Sequence, residues 1–396
     1  MILEKFAVLG AGNGGQAMAA YLALNGCKVN LYNRSRERLE PIIKKGGIFL
    51  SGIYQGFGRL NKITDNIEEA LSGTDIIMVV TPAVAHRYLA EKMSPYLRDG
   101  QKIILNPGRT GGTLEFYNIL KSNNCNADLI ISETQTFLYA SRVVGPARAK
   151  IFGVKNRVAI AAFPSNRTRE IIDKLYKILP QFSPVENVMK TSLDNIGSIF
   201  HPAPTLLNMA WIESTDGNFS YYQQGISPAI SKIMEKMDQE RMNVAESLGI
   251  SPISALDWLR MSYGARGKSL YELLQNNKQY EGIGAPEEIK HRYIFEDVPM
   301  GLVPISSLAN YFGISTPTID MIIELANLVY DTDFRKIGRT VKSLGLLGLN
   351  KKEIIDLVNK GNISNVEVHP KLRRTLYKGL DNIIYGQFAE YQKEVE

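Results

Sequence analysis

The sequence predicts an α/β protein in which an N-terminal, doubly wound, mostly parallel sheet is followed by a mainly α-helical C-terminal domain. Three observations predict this. The chain has 396 residues, more than the roughly 250–300 over which one hydrophobic core usually grows. The first half alternates short apolar runs with amphipathic stretches, which is typical of strands and crossover helices. From about residue 190 the strand pattern gives way to long amphipathic stretches.

The N-terminal elements follow from this alternation. Buried strands are predicted at Lys5–Leu9, Lys28–Tyr32, Asp75–Val80, Lys102–Leu105 and Asp128–Ile131. Apolar residues at helical spacing predict helices at Gly15–Asn25, Val84–Tyr96, Thr113–Lys121 and Asn166–Ile178. The glycine-rich segment Gly46–Ile63 suggests an inserted hairpin or loop, and Val143–Phe163 suggests further strands.

The C-terminal half is predicted to be helical. Its amphipathic stretches are Leu206–Glu213, Ile226–Leu248, Ile253–Met261, Ile305–Phe312, Thr316–Leu328 and Lys351–Val358. The boundary is placed near Pro184–Val188. The predicted domains are therefore residues 1–187, which contain the parallel sheet, and residues 188–396, which are mainly helical.

Composition excludes several classes of protein. No stretch offers the roughly 18 apolar residues of a membrane span, and the N-terminus lacks the features of an export signal. Cys27 and Cys125 are too few for a disulfide framework, which favours a reducing, cytoplasmic compartment. The net charge of +6, from 46 basic and 40 acidic residues, is modest and dispersed. We expect no nucleic-acid surface, no membrane contact and no metal site.

The motif G-x-G-x-x-G stands directly after the first strand and before the first helix, in the order Gly10, Ala11, Gly12, Asn13, Gly14, Gly15. Gly10 allows the tight turn, Gly12 lets a pyrophosphate approach the backbone, and Gly15 permits close packing of helix on strand. The helix N-terminus then offers N–H groups and a positive dipole to phosphates. This context predicts a Rossmann-like site for a dinucleotide cofactor.

The end of the second strand indicates which dinucleotide is used. An acidic residue there accepts hydrogen bonds from the adenosine ribose and repels a 2′-phosphate. This chain has Asn33, followed by Arg34, Ser35 and Arg36. A neutral amide with two guanidinium groups and a hydroxyl suits a phosphate, so NADP is favoured over NAD. The alternative is that Arg34 stacks on the adenine, which would serve NAD equally well.

Five segments carry a resemblance to a known family. They are the N-terminal GAGNGG, Asn106–Gly112 (NPGRTGG), Glu133–Thr136 (ETQT), His201–Asn208 (HPAPTLLN) and Arg292–Pro299 (RYIFEDVP). With these the chain resembles the octopine/nopaline dehydrogenases, the opine dehydrogenase family, over essentially its whole length. Members condense an amino acid with a 2-oxo acid and reduce the imine with NAD(P)H. The resemblance implies an oxidoreductase acting on CH–NH bonds.

The resemblance also implies residue roles. His201 corresponds to the catalytic histidine, Asp297 to its carboxylate partner and Arg292 to the arginine that binds a substrate carboxylate. Asn195 and Asn208 correspond to polar residues that flank the histidine. No pattern in the sequence selects one amino acid or one 2-oxo acid, and none distinguishes a monomer from a homodimer.

Local sequence supports the same histidine independently. His201 is followed by Pro202 and Pro204, which remove backbone donors and so interrupt or begin a helix. Such a break can direct one side chain into a site. A carboxylate such as Asp297 on one imidazole nitrogen would fix the tautomer, so that the other nitrogen can exchange a proton with substrate.

Two other functions are compatible with the same plan. A 2-oxo acid reductase of the ketopantoate or glycerol-phosphate type would use a lysine on the first helix of the second domain, for which Lys190 is available. A non-catalytic dinucleotide sensor would keep Gly10–Gly15 but would not need a histidine, an aspartate and an arginine together.

Overall fold

The computed structural model describes residues 4–362. They divide into two compact units, each built from more than one stretch of chain. The first comprises the described residues up to Gly108, then Gly112–Thr191 and the residues from Asp356 on. The second comprises Arg109–Gly111 and Ser192–Ile355. The predicted domain limits, 1–187 and 188–396, stay a prediction, and residues 363–396 lie outside the described residues.

The strands of the described residues all lie in the first unit. They are β1 (Lys5–Leu9), β2 (Lys28–Tyr32), β3 (Gly47–Gly52), β4 (Gly56–Arg59), β5 (Lys62–Thr64), β6 (Ile76–Val79), β7 (Lys102–Leu105), β8 (Ile130–Thr134), β9 (Tyr139–Gly145), β10 (Arg148–Val154), β11 (Val158–Phe163) and β12 (Phe182–Pro184).

Two sheets are formed. The larger has the order β12-β11-β8-β7-β6-β1-β2-β5, and its neighbours are parallel except for the antiparallel pair β8 and β11. The smaller has the order β4-β3-β10-β9, with β3 and β10 parallel and both outer pairs antiparallel. The predicted doubly wound α/β fold is confirmed.

The helices in chain order begin with α1 (Asn13–Leu24), α2 (Glu40–Lys45), α3 (Ile67–Leu71), α4 (His86–Met93), α5 (Gly112–Ser122), α6 (Thr168–Leu175) and α7 (Val188–Leu193). The C-terminal part contains α8 (Gly197–Phe200), α9 (Pro202–Leu207), α10 (Met209–Thr215), α11 (Pro228–Ser247), α12 (Ala255–Tyr263), α13 (Leu270–Gln275), α14 (Arg292–Phe295), α15 (Val303–Tyr311), α16 (Pro317–Tyr330), α17 (Phe334–Ile337) and α18 (Lys351–Lys360). A π-helical turn, Val298–Leu302, joins α14 to α15.

Helix α1 lies at the centre of the first unit, in contact with β1 and β2 of the larger sheet and with all four strands of the smaller one. Its buried face is rich in alanine, as in Ala17, Ala19 and Ala20, which lets both sheets approach it closely. The predicted insertion at Gly46–Ile63 therefore forms the β3–β4 hairpin that covers α1, and β5 returns to the edge of the larger sheet.

Several predicted bounds were wrong by a few residues. The strand expected at Asp128–Ile131 begins at Ile130, because Asp128 instead makes a loop hydrogen bond to Asp99 and an ion pair with Arg167. The helix expected at Leu206–Glu213 is two helices, α9 and α10, which are separated at Asn208. The Asn208 Nδ2 donates to the carbonyls of Pro204 and Gly225, which stabilises this break.

A fully buried arginine organises the second unit. Arg241 on α11 pairs with Asp238 at 2.6 Å and with Asp194 at 3.5 Å. It also donates to the carbonyls of Leu193 and Ile253. Buried charges are stable only when paired and hydrogen-bonded. This network fixes the segment that leads into α8, and with it the start of the candidate site.

Candidate active site

His201 stands at the junction of α8 and α9, where Pro202 has no N–H to continue the first helix. Its backbone carbonyl accepts hydrogen bonds from the hydroxyls of Thr205 and Tyr221, each at 2.8 Å. Its ring stacks on that of Tyr293, with centroids 4.0 Å apart and planes 9° from parallel. The backbone and the ring of His201 are therefore both fixed by contacts. The helix break predicted at the prolines is observed between α8 and α9.

Asp297 contacts the same ring. Its Oδ2 lies 2.7 Å from His201 Nδ1, and its side chain is 1% exposed. A neutral imidazole in this geometry carries its proton on Nδ1 and donates it to the carboxylate. Nε2 is then the ring nitrogen that is left to exchange a proton. The family resemblance implied that Asp297 is the carboxylate partner of His201, and the structure brings the two side chains into contact.

Arg109 completes the arrangement, because its Nη1 lies 3.0 Å from Asp297 Oδ1 and its Nε lies 3.2 Å from Glu296 Oε1. Its side chain is 11% exposed. Both carboxylates are buried, so this guanidinium supplies the charge that they need. The loop that carries it is fastened within the second unit, since Thr110 N donates to the Met300 carbonyl and Arg339 donates to the Thr110 carbonyl.

Arg292 is different from Arg109 in its exposure. It begins α14, its side chain is 50% exposed, and its Nη1 is 3.9 Å from Glu296 Oε2. Its guanidinium lies 5.8 Å from the centroid of the Tyr293 ring, the ring on which His201 stacks. A cation close to His201 and open to solvent is suited to receiving an anionic group.

The pKa values of this cluster are shifted in definite directions. Burial lowers the pKa of His201 below its usual value of 6.5, although the nearby Asp297 acts in the opposite direction. For Asp297 and Glu296 burial acts to raise the pKa, but Arg109 and Arg292, joined by His201 in the case of Asp297, together outweigh it, and both pKa values are lowered. The cluster therefore holds two carboxylates in their ionised form beside an imidazole that releases its proton readily.

The two asparagines have unequal positions. Asn195 is buried; its Oδ1 lies 3.5 Å from Arg109 Nη1, and its Nδ2 donates to Thr110 Oγ1 at 3.3 Å. Asn208 is half-buried, and its amide nitrogen donates to two backbone carbonyls. Asn195 therefore joins the charged cluster, whereas Asn208 holds the α9–α10 junction.

The glycine loop fits a dinucleotide pyrophosphate. Gly10 has a φ of +113°, and a Cβ on it would meet the backbone of Val80, while a Cβ on Gly15 would meet the Gly10 carbonyl. A Cβ on Gly12, in contrast, would meet no atom within 4 Å. The space beside Gly12 lies at the start of α1, whose first N–H groups have no acceptor within the helix.

Asn13 and Gly14 complete this loop by packing. The Asn13 side-chain oxygen accepts from Val143 N at 2.7 Å, which ties the start of α1 to β9. A Cβ on Gly14 would meet the ring of Phe137. Gly14 can therefore contact phosphate only through its backbone N–H group, and the Asn13 side-chain oxygen is already used by Val143.

The segment after β2 departs in detail from its predicted use. Asn33 is turned toward the glycine loop: its Oδ1 accepts from Ala11 N at 3.0 Å and its Nδ2 donates to the Ser35 carbonyl. Ser35 Oγ donates to Glu37, and Arg36 pairs with Glu40 and Asp65. Arg34 lies over the Tyr88 ring at 5.8 Å. Of the four residues, Arg34 is the one that remains suited to a phosphate.

Sequence reasoning missed the role of Arg109 and Glu296. In the sequence both residues were noted only as parts of the segments Asn106–Gly112 and Arg292–Pro299. Arg109 and Glu296 are 187 residues apart, and no periodicity links them. The available signal was chemical: a Glu-Asp pair in an apolar segment requires a buried cation.

No helix among residues 4–362 is long and apolar enough to cross a membrane.

Two family descriptions match the sequence. "NAD-dependent glycerol-3-phosphate dehydrogenase N-terminus" matches residues 5–107, and "NAD/NADP octopine/nopaline dehydrogenase, alpha-helical domain" matches residues 184–330. Together with the dinucleotide loop, they define the chain as an NAD(P)-dependent oxidoreductase.

Curated relatives define the family more closely. The opine dehydrogenase of Arthrobacter sp. (strain 1C) is 40% identical over 347 residues, which cover 87% of this chain and 96% of the relative. The vitopine synthase of Allorhizobium ampelinum is 24% identical, over 90% of this chain and 99% of the relative. The chain belongs to the octopine/nopaline dehydrogenase family, the opine dehydrogenases, and the resemblance found in the sequence is confirmed.

Solved structures share the fold. An octopine dehydrogenase in complex with NADH and L-arginine has a TM-score of 0.74 and 21% identity, and covers 92% of this chain and 99% of its own. A yersinopine dehydrogenase with NADP+ bound has a TM-score of 0.66 and 16% identity, with 90% and 98% covered. A ketopantoate reductase from Ralstonia eutropha JMP134 has a TM-score of 0.58 and 15% identity, with 83% and 98% covered. The fold is therefore shared with reductases of simple oxo acids.

Proposed function

We propose that this chain condenses an amino acid with a 2-oxo acid and reduces the resulting imine, with His201 and Asp297 as the catalytic pair and Arg292 as the carboxylate-binding residue. The contact between His201 Nδ1 and Asp297 Oδ2 at 2.7 Å carries the proposal. A dinucleotide sensor has no need for Arg292 and the His201–Asp297 pair together, and a reductase of the ketopantoate type would use a lysine such as Lys190.

The balanced reaction joins the two substrates through one new C–N bond. The amino nitrogen attacks the keto carbon, water leaves, and the imine gains a hydride on carbon and a proton on nitrogen. The reduced nicotinamide, when bound, supplies the hydride. The products are a secondary amine dicarboxylate, water and the oxidised cofactor.

His201 moves the protons in this scheme. Neutral His201 accepts a proton at Nε2 as the amine attacks, and its protonated form donates one as the carbinolamine oxygen departs as water. Asp297 fixes the tautomer through Nδ1 and stabilises the imidazolium. A pKa lowered by burial keeps the ring neutral near pH 7, so it can act first as a base.

Arg292 receives a substrate carboxylate in the proposed scheme. Both substrates are anionic, and a carboxylate that leaves water needs a cation opposite it. Arg292 is half-exposed, whereas Arg109 is buried against Asp297 and Glu296. The planar guanidinium matches a carboxylate through two parallel hydrogen bonds. Asn195 and Asn208 are proposed to shape the surroundings of His201 through Arg109 and through the α9–α10 junction.

The loop Gly10–Gly15 is proposed to hold the pyrophosphate, with Gly12 giving the closest approach. We propose NADPH as the preferred cofactor, because Arg34 is an exposed cation at the end of β2. Asn33, Ser35 and Arg36 support this segment through their own hydrogen bonds. The Glu37 carboxylate, which accepts from Ser35, would repel a 2′-phosphate. The preference for NADPH over NADH is therefore expected to be moderate.

The enzyme is proposed to act in the cytoplasm, as a monomer or a homodimer. Cys27 and Cys125 are both buried free thiols, which suits a reducing compartment.

The test is NADPH and NADH oxidation with amino acids crossed against pyruvate, glyoxylate and 2-oxoglutarate. We expect oxidation only when both partners are present. We also expect His201→Asn to lower the rate by about 100- to 10,000-fold, the usual worth of a general acid/base, while the cofactor still binds. Oxidation with a 2-oxo acid alone would favour the simple reductase.

A further inference from the structure

We infer that Arg109 is a positioning residue for the reaction: it keeps Glu296 and Asp297 ionised side by side and thereby sets the charge around His201. The inference rests on the proposed roles of His201 and Asp297. It assigns a function to a side chain that contacts both of these acids.

Two adjacent buried carboxylates need a shared cation. The side chains of Glu296 and Asp297 are 2% and 1% exposed. Two buried carboxylates on neighbouring residues disfavour each other's ionisation unless an opposite charge lies close to both. Arg109 directs Nε to Glu296 and Nη1 to Asp297, so one planar fork contacts the two carboxylates at once.

The backbone is arranged around this side chain. Arg109 has a φ of +60°, in the left-handed region that favours glycine. A non-glycine residue there is a local cost, which indicates that its side chain is required. Gly197 supports the same conclusion, because a Cβ on it would meet Arg109 Nη1. A side chain at position 197 would displace the guanidinium.

The charge count shows what Arg109 does for His201. The charged groups that face His201 are Asp297 and Arg292, and Arg109 and Glu296 lie behind them. The Tyr293 ring covers one face of the imidazole, and the Tyr221 hydroxyl donates to the backbone carbonyl of His201. With a neutral imidazole, two carboxylates balance two guanidiniums. Without Arg109 the cluster has one excess negative charge, which favours the imidazolium. The pKa of His201 would then rise.

The two arginines therefore have separate tasks. Arg292 is half-exposed and can exchange its contacts for those of a substrate carboxylate. Arg109 is buried and bound to both acids, so it cannot leave them without exposing an uncompensated charge. This division predicts that loss of Arg109 changes kcat and the pH profile, whereas loss of Arg292 changes the KM of the 2-oxo acid.

The experiment is an NMR titration of the His201 imidazole in the full-length protein without substrates. The resonance is assigned from its absence in His201→Asn. Arg109→Gln should move the His201 titration to higher pH, whereas Arg109→Lys, which keeps the charge, should stay near the wild type. The double variant Arg109→Gln/Glu296→Gln removes one charge of each sign and should return toward the wild type.

The activity arm uses the same variants. Arg109→Gln should lose about 10- to 100-fold in kcat, the scale of a catalytic group displaced by about 1 Å. The KM of the 2-oxo acid should change little. An unchanged titration in Arg109→Gln, or a double variant no closer to the wild type than the single one, would overturn the inference.

Folding of the single variant decides nothing by itself. If Arg109→Gln does not fold, the double variant is used instead. A double variant that folds and titrates like the wild type supports the charge role of Arg109. A double variant that does not fold shows that Arg109 is needed for folding, and this overturns the inference. The titration requires no turnover. A wild type without opine dehydrogenase activity would therefore refute the proposed function and still leave the role of Arg109 to be decided by NMR.

Discussion

His201 Nδ1 lies 2.7 Å from Asp297 Oδ2, although 96 residues separate the two in the sequence. The other oxygen of the same carboxylate lies 3.0 Å from Arg109. Asp297 thus orients a base with one oxygen while the other is neutralised. This geometry makes the histidine, the aspartate and the arginine one unit, and it determines which substitutions should change pH dependence and which should change substrate affinity.

Asp297→Asn should move the acid limb of opine oxidation to lower pH. In this direction neutral His201 is the base, so kcat/KM rises with pH through the His201 pKa. Asp297 raises that pKa, although burial keeps it below 6.5. Removing the carboxylate removes the raising effect, so the pKa falls further. The rate should also fall by about 100-fold or more, because the ring loses its orienting acceptor. A pH–rate profile checks both effects, and an unshifted limb at normal rate would refute the pairing.

Arg292→Lys should raise the KM of the 2-oxo acid. A point charge replaces a planar fork, and a charge-assisted hydrogen bond of about 1.5–3 kcal/mol corresponds to roughly 10- to over 100-fold in affinity. Melting temperature and NADPH affinity should change little, because the side chain is half-exposed. Arg260→Lys is the matched control, since Arg260 is also exposed and pairs with Asp257 within one helix. A variant that loses stability with normal kinetics would make Arg292 a structural residue.

Arg34→Ala should raise the KM of NADPH by roughly 10-fold or more and leave the KM of NADH nearly unchanged. The reason is that a 2′-phosphate is present in only one of the two cofactors. Arg36→Ala serves as the control: Arg36 already pairs with Glu40 and Asp65, so its loss should affect the two cofactors similarly. Equal effects of Arg34→Ala on NADPH and NADH would indicate stacking on adenine instead.

Gly12→Ala should weaken dinucleotide binding without a loss of stability. A Cβ at this position meets nothing in the protein but enters the space proposed for the pyrophosphate. Gly15→Ala should instead destabilise the fold, because its Cβ would collide with the Gly10 carbonyl. Fluorescence titration with NADPH and thermal melting separate the two effects. Normal cofactor affinity in Gly12→Ala would place the pyrophosphate elsewhere.

The sequence predicted the elements best where the pattern is local. The strands β1, β2 and β7 and the glycine turn follow from apolar runs and φ requirements that adjacent residues express. The helix break at Asn208 and the late start of β8 depend on hydrogen bonds to Gly225 and Asp99, which are remote in sequence. Such contacts leave no periodic signal.

The candidate site divides in the same way. His201, Asp297 and Arg292 could be named because two short segments resemble a family. Arg109 could not be assigned its task, because a guanidinium near a cofactor loop suits a substrate as well as it suits a buried acid. The side chain of Asn33 was predicted to bind the cofactor as a neutral amide beside a phosphate. Its side-chain amide instead accepts from Ala11 N and donates to the Ser35 carbonyl. These contacts depend on the folded structure and cannot be predicted from the residue type.

The most direct test of the proposed reaction is the fate of the transferred hydrogen. The wild-type enzyme is supplied with stereospecifically 4-deuterated NADPH, an amino acid and a 2-oxo acid that together support oxidation, and the products are identified by mass spectrometry. We expect a secondary amine dicarboxylate with one deuterium on the carbon that came from the keto group, and water as the other product. A deuterated 2-hydroxy acid, formed whether or not the amino acid is present, would refute the proposed reaction.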